Sequence, residues 1–301
     1  TRQIVLPRFQ RFEAWSHTQI SSLLNTVLKE LPAGAILTLE IGEKEPFISR
    51  PIVGAPTQGE KIVEHLLDGQ QRLTSFWRTL NDLYEDRLYL VKLEEDEDLE
   101  LPYYATSISR YYKNGDKYPI WANSPVELWK RKYIPVSLLR PDTDAEKSFK
   151  SWAKEAAESD SDCLLEIHEI GNKLRQKFSI FNIPFLSLPV TTKPEVALDV
   201  FIKMNTSSSP LTPYDIVVAQ IEAASGKSLH GYIEELKQDV PNFSRYSEPE
   251  DVVLAVAALL NNKLPSKETY LSKDFSESFD VSWPSIKQGI KKAISFLIDE
   301  K

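Results

Sequence analysis

Asp68, Gly69, Gln70, Gln71 and Arg72 place an acid, a glycine, two amides and a guanidinium at five consecutive positions. Each of these types suits phosphate chemistry. A carboxylate can hold a divalent cation or orient an attacking water, and an arginine makes charge-assisted bonds to phosphate oxygens. A glycine lets the backbone come close, and amide side chains add donors. Upstream, residues 62–67 form a short, mostly apolar run suited to a strand; downstream, Leu73, Phe76, Trp77, Leu80 and Leu83 recur at helical spacing. The polar group therefore falls at a helix N-terminus, where unpaired N–H groups and the helix dipole favour an anion. The same residues also spell a plain capped helix, with Asp68 accepting from the first N–H groups and Gly69 making the turn. Spacing does not choose between the two. No GxxxxGK[ST] or GxGxxG motif is present, so a nucleotide site here is of another kind.

The run LLDGQQRLTSFW resembles the DGQQR signature of the GmrSD N-terminal domain family, a relative of the ParB and sulfiredoxin folds found in modification-dependent restriction systems of bacteria. Two further segments agree. Leu6 to Trp15 resembles that family's P-x-[YF]-Q-R-x-x-x-W entry, with Phe9 where many members carry tyrosine; Phe201 to Asn205, followed by 210–216, resembles its F-x-x-x-N and L-T-x-x-D segment. The resemblance implies a nucleotide-hydrolysing sensor, with a mild preference for GTP, serving a modification-dependent restriction or phage-defence enzyme. It also implies a partner nuclease, either a C-terminal HNH-type domain or a separate subunit, and DNA, modified in many such systems, as the target. Self-association is left open.

Composition is compatible with this. A chain of 301 residues with 42% hydrophobic content can bury a substantial core. The single Cys163 excludes an intramolecular disulfide framework, no Cys/His cluster has zinc spacing, and a reducing cytoplasm is the simplest compartment. No apolar run approaches the roughly 20 residues needed to span a bilayer, so no membrane partner is expected. A net charge of −8 argues against a surface that binds nucleic acid everywhere. Residues 110–133 are the exception, with Lys130, Arg131 and Lys132 among basic residues interleaved with tyrosine and tryptophan. Such a stretch can follow phosphates and stack on bases, or it can be a core with a solvated rim. The acidic run 94–100 reads as a solvated loop.

The expected fold class is α/β (α+β): a small mixed sheet with packed helices, followed by an all-helical region. Strands are expected at 3–7, 35–41, 48–53, 62–67, 87–93 and 183–190, and Ser16 is positioned to cap a helix bearing Ile20, Leu23, Leu24, Val27 and Leu28. This divides the chain into a ParB/sulfiredoxin-like core at 1–93, an irregular aromatic and basic insertion at 94–145, a helix-and-strand completion at 146–194 and helices at 195–301. In the last region Val196, Val200, Phe201 and Met204 read as the first apolar stripe, Thr212 and Asp215 as cap residues, and Pro284 as the start of a helix that reaches the end of the chain, which suggests a piece of a longer protein.

Taken together, Asp68, Gln71 and Arg72 are the expected catalytic group, with Asp68 the residue to hold Mg2+. Gln10, Arg11, Gly69, Gln70, Gln71, Arg72, Thr74 and Asn205 are the expected nucleotide contacts, and Lys130, Arg131 and Lys132 the DNA contacts. Gln10 and Arg11 reach the same pocket only if the sheet has the resembled topology; otherwise they are structural, and Asn205 can equally be an ordinary C-terminal helix residue. Three functions follow: an NTPase that controls a nuclease, a nucleotide or modified-DNA switch without turnover, and, with the thinnest metal provision, nuclease chemistry at Asp68.

Overall fold

The computed structural model describes residues 3–10, 15–55, 61–94, 102–111, 120–204, 213–241, 243 and 248–299; Arg11, Asn205 and Thr212 lie outside them. Eight strands are described: β1 (Gln3–Pro7), β2 (Ile36–Glu40), β3 (Ser49–Arg50), β4 (Ile62–Asp68), β5 (Arg87–Leu93), β6 (Tyr103–Ser109), β7 (Tyr133–Pro135) and β8 (Phe185–Leu188). The helices of the first two hundred residues are α1 (His17–Leu28), α2 (Gln70–Leu80), α3 (Pro125–Lys130), α4 (Thr143–Ala156) and α5 (Ser161–Ile180). After β8 the described chain is helical: α6 (Pro194–Met204), α7 (Pro213–Ser225), α8 (Leu229–Asp239), α9 (Pro249–Leu260), α10 (Lys267–Tyr270) and α11 (Lys273–Asp299). None of the described helices is long and apolar enough to cross a membrane.

The first sheet is mixed and five-stranded, in the order β3-β1-β4-β2-β8, with β1 parallel to β4 and β2 parallel to β8. The parallel register, Val5 opposite His65, brings the C-terminal ends of β1 and β4 to the same edge. In open α/β sheets that edge is where ligands gather. One face buries Leu37, Leu39 and Leu67, with Phe9 and Phe47, against α6 to α11; the other buries Leu6, Ile36 and Leu66. Helix α1 starts with a capping box between Ser16 and Gln19 and buries Ile20, Leu23, Leu24, Val27 and Leu28, as its spacing predicts.

Three elements differ from the sequence expectation. Strand β5 does not join the motif strand; it is the centre of a second, antiparallel sheet, β6-β5-β7, and β6 lies inside the stretch expected to be irregular. Both faces of β6 mix apolar and polar residues, Tyr103, Ala105 and Ser107 on one and Tyr104, Thr106 and Ile108 on the other, so its alternation is faint, and its seven-residue register with β5 is a long-range choice. Pro284 does not begin a helix but sits inside α11. There Phe275, Phe279, Trp283, Ile286, Ile290 and Ile294 keep one buried stripe across it, which offsets the lost hydrogen bond. Helix α6 buries Ala197, Leu198 and Phe201 and leaves Val196 and Met204 about half exposed.

The junction between the sheet and the helical region buries a charge. Glu222 on α7 is 2% exposed, and burial pushes its carboxyl up to about 7, against weaker pulls from the Ile48 backbone and the Arg8 guanidinium. An acid whose folded pKa exceeds its unfolded value of 4.5 stabilises the fold below that value and loses the contribution as pH rises through about 7. A tenfold change in proton affinity is worth ~1.4 kcal/mol, so the loss is on the order of 3 kcal/mol. Denaturant unfolding at pH 4.5 and pH 8 should show this fall in the wild type and a flatter profile in Glu222→Gln. Equal slopes in the two proteins would assign the pH dependence to other groups.

Candidate functional site

Strand β4 delivers Asp68 to the sheet edge, Gly69 turns the chain with φ +97°, and α2 begins at Gln70. The N-cap position is Gly69, which has no side chain, and among the described residues Asp68 makes no cap bond there, so the reading of Asp68 as a helix cap is corrected. Its carboxylate is turned to Arg72 instead: Arg72 Nη2 donates to Asp68 Oδ2 at 2.9 Å, and Arg72 Nη1 donates to the Ala33 carbonyl at 2.8 Å. The two side chains are only 15% and 21% exposed. Two glycines make room for the guanidinium. A Cβ on Gly34, itself at φ +80°, would lie 2.6 Å from Arg72 Nη1; one on Gly69 would lie 3.5 Å from Nη2 and 2.9 Å from Ile36.

The other expected contacts divide. Gln10 is buried, and its Nε2 donates to the carbonyls of Leu66 at 2.5 Å and Leu67 at 3.3 Å, so it braces the end of β4. Its own carbonyl accepts from Arg50 Nη2 at 2.9 Å. Gln71 Oε1 accepts from the Trp15 backbone N–H at 3.3 Å, tying the motif to the start of α1. Gln70 and Thr74 are turned inward, at 8% and 1% exposed. The most buried positions of α2 are Gln70, Thr74, Ser75 and Thr79, whereas Leu73, Phe76 and Leu80 are half-buried and Trp77 is exposed. The apolar spacing points to the opposite face.

Beside the turn lies a cleft of about 460 Å³. Asp68 and Arg72 form its charged end, Trp15, Gln19, Ser22, Leu23 and Thr26 its α1 wall, and Pro32, Ala33 and Met204 complete it. Its volume falls in the range of small-molecule sites. Sequence reasoning missed Ala33, Gln19, Ser22, Thr26 and Met204 as members, and Gly34 as the residue that leaves room for Arg72. Only Gly34 left a signal, since a glycine two residues after Pro32 needs no left-handed φ merely to stop a helix. A second cleft of about 320 Å³ lies past the C-terminal end of α2, around Asp82, Tyr84, Arg110 and Tyr111. There Arg110 is committed to Asp82 and to the Tyr84 and Arg87 carbonyls, and no helix begins at it.

Lys130, Arg131 and Lys132 lie apart, at the end of α3. Lys130 pairs with Glu158 at 3.2 Å, Arg131 pairs with Glu127 and covers the Trp121 ring, and Lys132 pairs with Glu166 at 3.6 Å and covers Trp129. Trp129 and Leu128 are buried in the core of this second unit. DNA contact through these cations would compete with three ion pairs. Among the described residues no group of three His, Cys, Asp or Glu side chains is placed to hold a metal. Asp68 is the one carboxylate among the cleft's described lining residues, which suits an ion such as Mg2+ that keeps water and substrate phosphates as its other ligands.

The mixed sheet thus ends in an acid-glycine-arginine turn at the start of a helix, with the acid and the arginine lining a cleft. The family model of the GmrSD restriction endonuclease N-terminal domain matches residues 1–222, and the chain belongs to that family. It is also 27% identical over 239 residues to the uncharacterized protein MJ0686 of Methanocaldococcus jannaschii. That match covers 72% of this chain and 39% of the relative, so the chain spans well under half the length of the curated relative it matches.

The ion pair at the turn carries a direct prediction. In a double-mutant cycle of Asp68→Ala and Arg72→Ala read by denaturant unfolding, the pair should show a coupling of about 1.5 to 3 kcal/mol, the range for hydrogen bonds to charged groups. A coupling near zero would mean that Arg72 is held by Ala33 alone.

Proposed function

We propose that this chain is the nucleotide-binding and hydrolysing sensor module of a DNA restriction enzyme, GTP-preferring as the family resemblance implies, and that it controls nuclease chemistry carried elsewhere. One observation carries the reading: the Asp68 and Arg72 pair, which brackets the turn from β4 into α2, forms the charged end of a cleft. A guanidinium has five N–H donors. Arg72 commits one at Nη1 and one at Nη2, so further donors on its fork can serve phosphate oxygens while Ala33 and Asp68 hold it in place. The positive end of the α2 dipole lies beside that pair and favours the same anion. Mg2+ held by Asp68 would neutralise phosphate charge when a nucleotide is bound. Gln10 and Gln71 act at one remove, keeping the strand end and Trp15 in register with the turn. Gln70 and Thr74, both buried, reach a ligand only through backbone or by a change in α2.

A second reading has its own support. Because the Asp68 carboxylate is held by Arg72 at 2.9 Å, the site suits a clamp that binds nucleotide and switches without turnover. The two readings part in one experiment. With Mg2+ and GTP, multiple-turnover phosphate release by the wild type should fall at least tenfold in Asp68→Asn, with nucleotide affinity in the same variant changed far less. No phosphate release from the wild type, together with retained binding, selects the clamp. No binding by the wild type overturns both.

A further inference from the structure

We propose that the α1 wall of the cleft is the subsite for the nucleobase of the bound nucleotide, with Trp15 as its apolar ring contact and Gln19 and Thr26 as the polar groups that meet the base edge. This rests on the nucleotide reading above and adds which end of the cleft takes which part of the ligand.

Charge divides the cleft. Asp68 and Arg72 are its only charged described lining residues, and they share one end. The α1 wall is uncharged, so a phosphate gains little along it, whereas a neutral aromatic ring gains apolar contact and gives up little hydration. Gln19, Leu23 and Thr26 fall at i, i+4 and i+7 on one helix face, with Trp15 a turn before them. At ~1.5 Å per residue the wall runs roughly 16 Å. It is a track and not a point contact.

The polar groups on that track have defined hydrogen-bonding roles. The Gln19 Oε1 is committed to the Ser16 backbone N–H at 2.9 Å in the capping box, which leaves its NH2 as the donor. The Thr26 hydroxyl donates to the Ser22 carbonyl at 3.0 Å, so it presents lone pairs as an acceptor. With the Ser22 hydroxyl between them, one donor and one acceptor on an uncharged wall match the mixed edge of a nucleobase and not a phosphate, which accepts only. Met204 also lines the cleft and is 45% exposed. An exposed thioether inside a cleft is a favourable neighbour for an aromatic ring. The hydrogen bond from the Trp15 N–H to Gln71 links the ring end to the phosphate-binding turn, so Gln71 is a positioning residue for Trp15.

The test is calorimetric titration of wild type, Trp15→Leu, Trp15→Phe and Thr26→Val with GTP, ATP and inorganic tripolyphosphate, all with Mg2+. Wild type should bind at least one nucleotide more tightly than tripolyphosphate. Trp15→Leu should weaken that nucleotide roughly five- to a hundredfold, the range for loss of base stacking on an aromatic side chain, and leave tripolyphosphate unchanged. Trp15→Phe should recover most of the loss, and Thr26→Val should change the ratio of GTP to ATP affinity without unfolding the protein. If Trp15→Leu loses both ligands equally, or if wild type binds tripolyphosphate as tightly as either nucleotide, the base subsite is overturned while the phosphate site stands. If, in a parallel titration with a short single-stranded DNA, Trp15→Leu loses DNA affinity and keeps that of both nucleotides, the wall takes a DNA base and the proposal also fails. Wild type that binds none of the three ligands overturns the nucleotide reading itself.

Discussion

The Arg72 guanidinium is the joint on which this site depends. It closes one hydrogen bond to Asp68 four residues back, across the left-handed turn at Gly69, and a second to Ala33 in the loop between α1 and β2. The first contact sets the strand-to-helix turn and the second anchors that turn to the loop that leads into the neighbouring strand. Both depend on space that a side chain would fill, because Gly34 and Gly69 border the guanidinium and each has a φ that other residues rarely adopt. A mostly buried ion pair is a weak source of net stability but a strong selector of geometry, since leaving one partner alone is costly. Here the geometry selected is the turn from β4 into α2.

Around that joint the cleft is assembled from distant parts. The turn comes from the centre of the mixed sheet, the α1 wall from a helix that packs mainly on the second sheet, and Met204 from the helical region. Parallel pairing of β1 with β4 is what places Gln10 beside the last carbonyls of the motif strand. A ligand seated there would touch all three parts, a suitable arrangement for a sensor whose output is the relative disposition of its parts. The buried Glu222 lies at one of the same junctions, between the sheet and α7, and makes that contact dependent on proton concentration.

Much of this was legible from residue order. Local rules decide a strand, a left-handed glycine and the helix that follows it, and the capping box at Ser16 and Gln19 is likewise local, so the 62–80 segment and α1 stand where their spacing puts them. The stripe of α11 was only half legible, because a proline signals a helix start far more often than a helix it interrupts, and six buried apolar residues outweigh it. Helix α2 presents the reverse of the face its spacing suggests: Gln70, Thr74, Ser75 and Thr79 are its buried positions, while Leu73, Phe76 and Leu80 are only half-buried and Trp77 is exposed.

The sequence by itself determined that an acid, a glycine and an arginine would meet at a helix N-terminus, since four residues of chain cannot separate Asp68 from Arg72 once the turn forms. It also determined family membership, since the family model matches residues 1–222. Only the tertiary structure decided that Asp68 pairs with Arg72 instead of capping the helix, that Gln10 is spent on the backbone of β4, and that Gln19, Thr26 and Met204 line the cleft. Each of those outcomes is a competition between acceptors, donors or surfaces far apart in the chain, and its winner depends on where the backbone brings them, which no local pattern records.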